Sequence, residues 1–173
     1  SVPVMVMSER EGEPAPAYFL ERGQYNASDR SEALPRAVPA ALFQGEEGTQ
    51  PADRLELAQW IASDRNPLTA RVIVNRIWQD HFGVGLVKTS EDFGLQSEPP
   101  SHPGLLDWLA AEFIESGWNM KHIHRLIVTS ETFQQGSAVD STLLHRDPEN
   151  RLLARGPRYR LDGFAIRDLS LHA

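Results

Sequence analysis

The sequence predicts a mainly α fold: a compact helical core of about four to six helices behind an extended N-terminal lead that contains one or two short strands. Three observations carry this. Apolar residues recur at three-to-four spacing in successive stretches after Pro51, and capping residues bracket those stretches. Before Pro51 no helical period persists, and Gly12, Pro14, Pro16, Gly23, Pro35, Pro39, Gly45 and Gly48 punctuate the chain. The expected boundaries are a lead or linker over residues 1–50 and a helical domain over 51–173.

In the lead, Val2, Val4 and Val6 alternate with Pro3, Met5 and Met7, and Ala17-Tyr18-Phe19-Leu20 is a second apolar run, so these are the expected strands. Asp53 is the expected N-cap of a first helix carrying Leu55, Leu57, Ala58 and Ile61. Asn66, with Pro67 in the first helical position, opens a second, striped by Val72, Ile73, Ile77 and Trp78 and stopped by Gly83 and Gly85. A third begins at Ser101 and Pro103, carries Leu105, Leu106, Trp108, Leu109, Phe113 and Ile114, and ends at Gly117. Asn119 caps a fourth with Ile123, Leu126, Ile127 and Phe133. The short connection makes the third and fourth antiparallel neighbours. A polar linker from Ser137 to Arg146, a short helix from Asp147 to Ala154 and a last one from Leu161 to Leu171 follow. Residues 51–136 are expected to form a four-helix core with Trp78, Leu105, Trp108, Leu109, Phe113, Ile123 and Ile127 inside.

The chain has 173 residues, 40% hydrophobic and 24% charged, the composition of a folding domain rather than a disordered tail. Its formal net charge is −7, and no lysine-arginine cluster makes the basic face that nucleic acid requires, so nucleic acid is not an expected partner. No apolar run reaches the roughly 18 residues of a membrane helix, so no membrane insertion by this chain is expected. Ser1 to Met7 lacks the basic lead of a signal peptide, which places any export signal outside this sequence. The absence of Cys excludes disulfides, thiolate metal sites and the Cys-x-x-Cys-His attachment of a c-type haem, so no cofactor is expected within the chain.

Six histidines invite a metal reading, but His122 and His124 stand two apart, about 200° around a helix, and do not share one ion. No metal site is expected. His81 follows Asp80 at the end of the second helix, where an imidazole meets the last free carbonyls. The candidate pocket consists of Arg71, Asn75, Arg76, Asp92 and His102. Arg71 and Asn75 share a face of the second helix, and His102 opens the third helix at the mouth of the nineteen-residue connection from Gly83 to Ser101. This connection is expected to be ordered, with Phe82, Leu86, Val87, Phe93 and Leu95 as apolar anchors and bonds from Arg71, Asn75, Arg76 and His102 to its backbone. Arg76 and Asp92 are expected to pair. There is no Gly-x-Ser-x-Gly elbow, phosphate loop or His-Glu-x-x-His, and Thr129 and Ser130 near His122 and His124 have no recognisable oxyanion donor. No catalytic residue is assigned, and enzyme or non-enzyme is left open.

Arg71-Val72-Ile73-Val74-Asn75-Arg76-Ile77-Trp78, Phe82-Gly83-Val84-Gly85-Leu86-Val87, Asp92-Phe93-Gly94, Ser101-His102-Pro103, Leu105-Leu106-Asp107-Trp108-Leu109 and Arg125-Leu126-Ile127-Val128-Thr129-Ser130 together resemble a planctomycete-type C-terminal domain of unknown function. That family accompanies cytochrome-c-like modules in large exported proteins. The resemblance implies an extracytoplasmic (periplasmic or exported) location, neighbouring domains of the same polypeptide as partners, and haem c in another domain. It further implies that the chain is an excerpt of a larger multidomain protein, with a supporting role in oxidation or binding of an organic substrate such as a carbohydrate; the alternative is a non-enzymatic structural or protein-interaction domain. The chain departs from the family pattern at Phe133-Gln134-Gln135-Gly136 and at Gly163-Phe164.

Overall fold

The structure, a computed structural model, describes residues 3–8, 12, 15–43 and 50–172. Among them the chain is mainly α, with seven α-helices and one antiparallel strand pair, and it divides into two compact units, residues 1–66 and 67–173.

In the first unit, β1 (Ala17–Leu20) pairs with β2 (Ser28–Leu34), Ala17 opposite Leu34 and Leu20 opposite Ser28. A single 3-10 turn, Glu21–Gly23, leads out of β1, with Arg22 and Gly23 at positive φ. The apolar run at Ala17 therefore is a strand, while residues 3–8 form none; Val2 lies outside the described residues. Ser28 to Leu34 escaped the sequence reading because its polar side chains, almost all exposed, give a strand no apolar alternation. Helix α1 (Arg54–Ile61) begins as expected. Asp53 accepts the Glu56 amide at 2.8 Å while Glu56 accepts the Ala52 amide at 2.7 Å, a reciprocal cap.

The second unit contains α2 (Thr69–Phe82), α3 (Pro103–Glu115), α4 (Met120–Val128), α5 (Glu131–Gln134), α6 (Ser141–Arg146) and α7 (Gly163–His172). Its core comes from three helices and one loop: Ala70, Val74, Ile77, Trp78 and Phe82 of α2, Leu106, Leu109, Ala110 and Phe113 of α3, Ile123 and Ile127 of α4, and Leu86 and Val87 between α2 and α3. The expectation of a four-helix core is thereby corrected, since α1 falls in the first unit and buries none of its residues. Trp108 is corrected too: it is 49% exposed. Two stripes compete on α3. The one through Trp108 runs into Glu112 and Glu115, whereas Leu106, Leu109, Ala110 and Phe113 continue uninterrupted, so the second faces the core.

Helix ends follow capping chemistry. Gly83 closes α2 with φ +80°, where a side chain is strained, and Asn119 opens α4 by accepting the His122 amide at 3.1 Å. Beyond α5 the sequence reading inverted two segments. Residues 141–146, expected as linker, are helical, and residues 147–154, expected as helix, are turns. The reason lies in Asp147, a buried residue whose carboxylate accepts the amides of Arg151 and Leu152, both at 2.8 Å; Asn150 and Leu153 then adopt positive φ, which no helix accommodates.

Candidate functional site

Asn75 is 0% exposed, one turn from Trp78 on the buried side of α2. Its Nδ2 donates to the Val87 carbonyl (3.1 Å) and to Ser90 Oγ (3.1 Å), and its Oδ1 accepts the Val87 amide (2.9 Å). Ser90 in turn donates to Gln79 Oε1. Gly85 lies against this amide so closely that an added Cβ would sit 2.6 Å from Asn75 Nδ2, which accounts for glycine there. A second clamp reaches the same loop from far along the chain: the Arg151 guanidinium donates to the carbonyls of Gly85 (2.8 Å) and Leu86 (2.9 Å). Lys88 and Glu149 add an exposed ion pair at 2.8 Å. The connection after α2 is thus held through buried polar bonds as well as by Leu86 and Val87.

A cavity of about 440 Å³ lies between the end of α2, with Gly83 and Val84, and the segment from Val139 to Tyr159. Tyr159 packs on Gly83, where an added Cβ would come within 2.9 Å of the ring, and its hydroxyl donates to the Asp80 carbonyl at 2.5 Å. Burial, with the nearby Asp80 charge, pushes that phenol above its ordinary pKa. Arg155 is 7% exposed; its Nη2 donates to the carbonyls of Asp147 (2.9 Å) and Pro148 (3.0 Å). Asn150 Nδ2 donates to the Arg155 carbonyl at 2.8 Å. Two polar atoms of these side chains, each with less than 1 Å² of accessible surface, have no partner among the described residues: Arg155 Nη1, a donor, and Asn150 Oδ1, an acceptor.

No Ser, Thr, Cys, His or Lys lines the cavity among the described residues. The carboxylate at its edge, Glu149, is hydrogen-bonded to Lys88, which holds it below its ordinary pKa. The lining offers no nucleophile paired with a base among the described residues.

The histidines assemble differently from one another. His81 Nε2 and His124 Nδ1 share a hydrogen bond of 2.8 Å, with the Phe133 ring edge-on to His81. Burial first, and the neighbouring His124 second, lower the His81 pKa against a smaller opposing effect of Asp80. His122, pointing elsewhere on α4, meets Glu112 Oε2 at 3.0 Å. No group of three metal-ligating side chains occurs among the described residues.

The five residues singled out from the sequence do not converge. Asn75 holds the loop as described. Arg71 donates to Asp107 (2.7 Å) and to the Pro67 carbonyl (2.5 Å) rather than to the loop. Arg76 is exposed, and Asp92, expected as its partner, instead caps its own turn by accepting the Gly94 amide at 2.7 Å. His102 lies beside Ser101 Oγ at 3.1 Å. A small cavity of about 190 Å³ does open where the loop meets the start of α3, lined by Arg71 and Asp107 but not by Asn75, Asp92 or His102. Leu95, expected as an apolar anchor, is fully exposed, while Phe93 packs against the core. Arg151, Arg155, Asn150 and Tyr159 were missed. Their signal was the density of arginine between Arg151 and Arg160 in an acidic chain, broken by Gly156 and Pro157 and so unsuited to a solvated helix face.

A family model described as PSD1, protein of unknown function (DUF1553), matches residues 53–173. Among curated proteins and solved structures nothing matches the chain.

Proposed function

The chain belongs to the PSD1 family of proteins of unknown function, and on that premise we propose that its helical unit is a ligand-binding module of an exported multidomain protein whose haem c lies in a neighbouring domain of the same polypeptide. The observation that supports the binding role is the cavity of about 440 Å³ beside Arg155, whose lining has no nucleophile-base pair. The haem association and the extracytoplasmic location rest on the sequence resemblance.

The residues present do not fit haem c. The chain lacks the cysteines that would attach the macrocycle, and His81 and His124 are engaged with each other. A haem in another domain would supply one-electron oxidation; this chain's own residues would bind and orient the organic substrate.

A second reading, a protein-interaction domain, is favoured by α7, which buries none of its residues and exposes Phe164, Ile166, Leu169 and Leu171. The test is made on the full-length polypeptide, purified from exported and cytoplasmic fractions of its source. Covalent haem in exported protein, reduced on adding an organic substrate, is the expected result. The variant Leu144→Trp, which adds bulk at a residue lining the cavity, should retain haem and lose that reduction. Absence of covalent haem, or undiminished reduction in the variant, overturns the proposal.

A further inference from the structure

The cavity between α2 and the segment from Val139 to Tyr159 is unbalanced in charge. Two guanidiniums line it, those of Arg155 and Arg158, and neither forms an ion pair among the described residues. The carboxylates near them in sequence are already engaged. Glu149, the one acid in the lining among the described residues, is bonded through both oxygens to Lys88 (3.0 and 2.8 Å), and each oxygen of the buried Asp147 accepts a backbone amide. Arg155 is 7% exposed and its Nη1 has less than 1 Å² of accessible surface, so it offers a ligand its charge and no bond; burial leaves that charge weakly screened. Arg158 differs. It is exposed, and its side chain makes no hydrogen bond among the described residues, so its donors are open to a ligand. Apolar surface faces the same space, since Val84, Val139, Leu144 and Leu153 line it and none of them is fully buried.

From this we infer that the cavity takes a small organic monocarboxylate with an apolar body, its carboxylate against Arg158 and its body against Val84, Val139, Leu144 and Leu153. The inference rests on the binding-module reading and names its ligand class. The planar fork of a guanidinium matches a carboxylate with two parallel bonds, and the Arg155 charge attracts the same group at longer range. Both guanidiniums repel a cation. A neutral ligand of the same shape gains the apolar contact without the charge, and a bare inorganic anion gains the charge but leaves the apolar surface wet. One guanidinium within reach suits one carboxylate rather than two. The volume, about 440 Å³, lies within the range of small-molecule sites, about 300 to 1,000 Å³.

The experiment is a titration of the whole chain, followed by NMR and calorimetry, with benzoate, 2-naphthoate and hexanoate, each set against its own neutral amide, and with acetate, inorganic phosphate and benzylammonium beside them. At least one of the three carboxylates should bind saturably and about tenfold tighter than its amide, the low end of what a hydrogen bond to a charged group is worth. It should shift the Val84 and Leu144 methyl signals and the Arg158 side-chain signals together. Arg158→Gln removes the charge and no side-chain bond of the fold; the carboxylate should then lose about tenfold in affinity and the amide nothing, with an unchanged melting temperature. Arg158→Lys should leave the carboxylate the tighter ligand of the two. A carboxylate no tighter than its amide, undiminished binding in Arg158→Gln, or no saturable binding by any of the three overturns the inference. Acetate or phosphate binding as tightly as the larger carboxylates overturns it too, because the apolar body would then contribute nothing. Missing haem in the full-length polypeptide with carboxylate binding intact would overturn the preceding proposal and leave this one standing; intact haem and substrate reduction without carboxylate binding would do the opposite.

Discussion

Asn75 and Val87, twelve residues apart, exchange two hydrogen bonds in opposite directions, so that one side-chain amide serves both the N–H and the C=O of a single loop residue. The helix thereby offers the loop what a neighbouring strand would offer in a sheet. Ordering the loop costs about 1 to 2 kcal/mol per residue, and buried polar groups left unpaired would add to that cost.

Asn75→Ala should therefore orphan two buried backbone groups and destabilise the protein by about 2 to 6 kcal/mol, at about 1 to 3 for each. Denaturant unfolding gives the magnitude. Hydrogen exchange should show the Val87 amide losing protection before the α3 amides do; uniform exchange across both would mean the loop does not depend on Asn75.

The same loop is held by the close approach of Gly85 to Asn75 and, from far along the chain, by Arg151. Gly85→Ala drives a Cβ to 2.5 Å from the Val87 carbonyl and 2.6 Å from Asn75 Nδ2, a clash with fixed atoms on both sides. It should lower stability and raise exchange at Val87, as should Arg151→Met, which strips the donors from the Gly85 and Leu86 carbonyls. Wild-type exchange in both variants would contradict the two-sided clamp.

Two tryptophans should behave oppositely. Trp78 is buried and stacks on Phe82 at 4.1 Å between centroids, so Trp78→Ala should cost about 3 to 5 kcal/mol. Trp108→Ala, on an exposed face, should cost about 1 kcal/mol or less. Equal losses would return Trp108 to the core.

Mild acid should weaken the fold through His81. Its folded pKa lies below the unfolded value near 6.5, so the unfolded chain binds the proton first; the stability is complete above about pH 6.5 and is lost as pH falls from there toward the folded pKa. His124→Gln removes the second of the two causes that lower it, and the slope of unfolding free energy against pH should flatten between about pH 7.5 and 5.5. Parallel slopes for variant and wild type would remove the coupling.

The sequence showed the helices of the second unit well wherever capping and period agreed, as at Asn119 with Ile123 and Ile127. It showed Asn75 as a loop anchor because a polar side chain in an apolar stretch needs a partner and a long loop supplies one. Trp108 was misread because two stripes overlap on α3, and only the neighbours decide which faces inward. Asp147 was read as a helix start when its carboxylate in fact binds the amides that would have continued the chain as a helix. The cavity escaped for a related reason. Its walls come from residues more than fifty positions apart, and no local period records a guanidinium locked between carbonyls.

The clamp on Gly85 and Leu86 also sets an order of events during synthesis. Arg151 lies 66 and 65 residues downstream of the carbonyls it binds, so at about 5 to 20 residues per second it leaves the ribosome's active centre about 3 to 13 s after them. A nascent chain can thus complete α2, α3 and α4, with Asn75 already gripping Val87, before the far side of the cavity exists. The cavity is completed after the apolar core, with only α7 still to follow, and a chain cut short between Gln135 and Asp147 would carry the core without it.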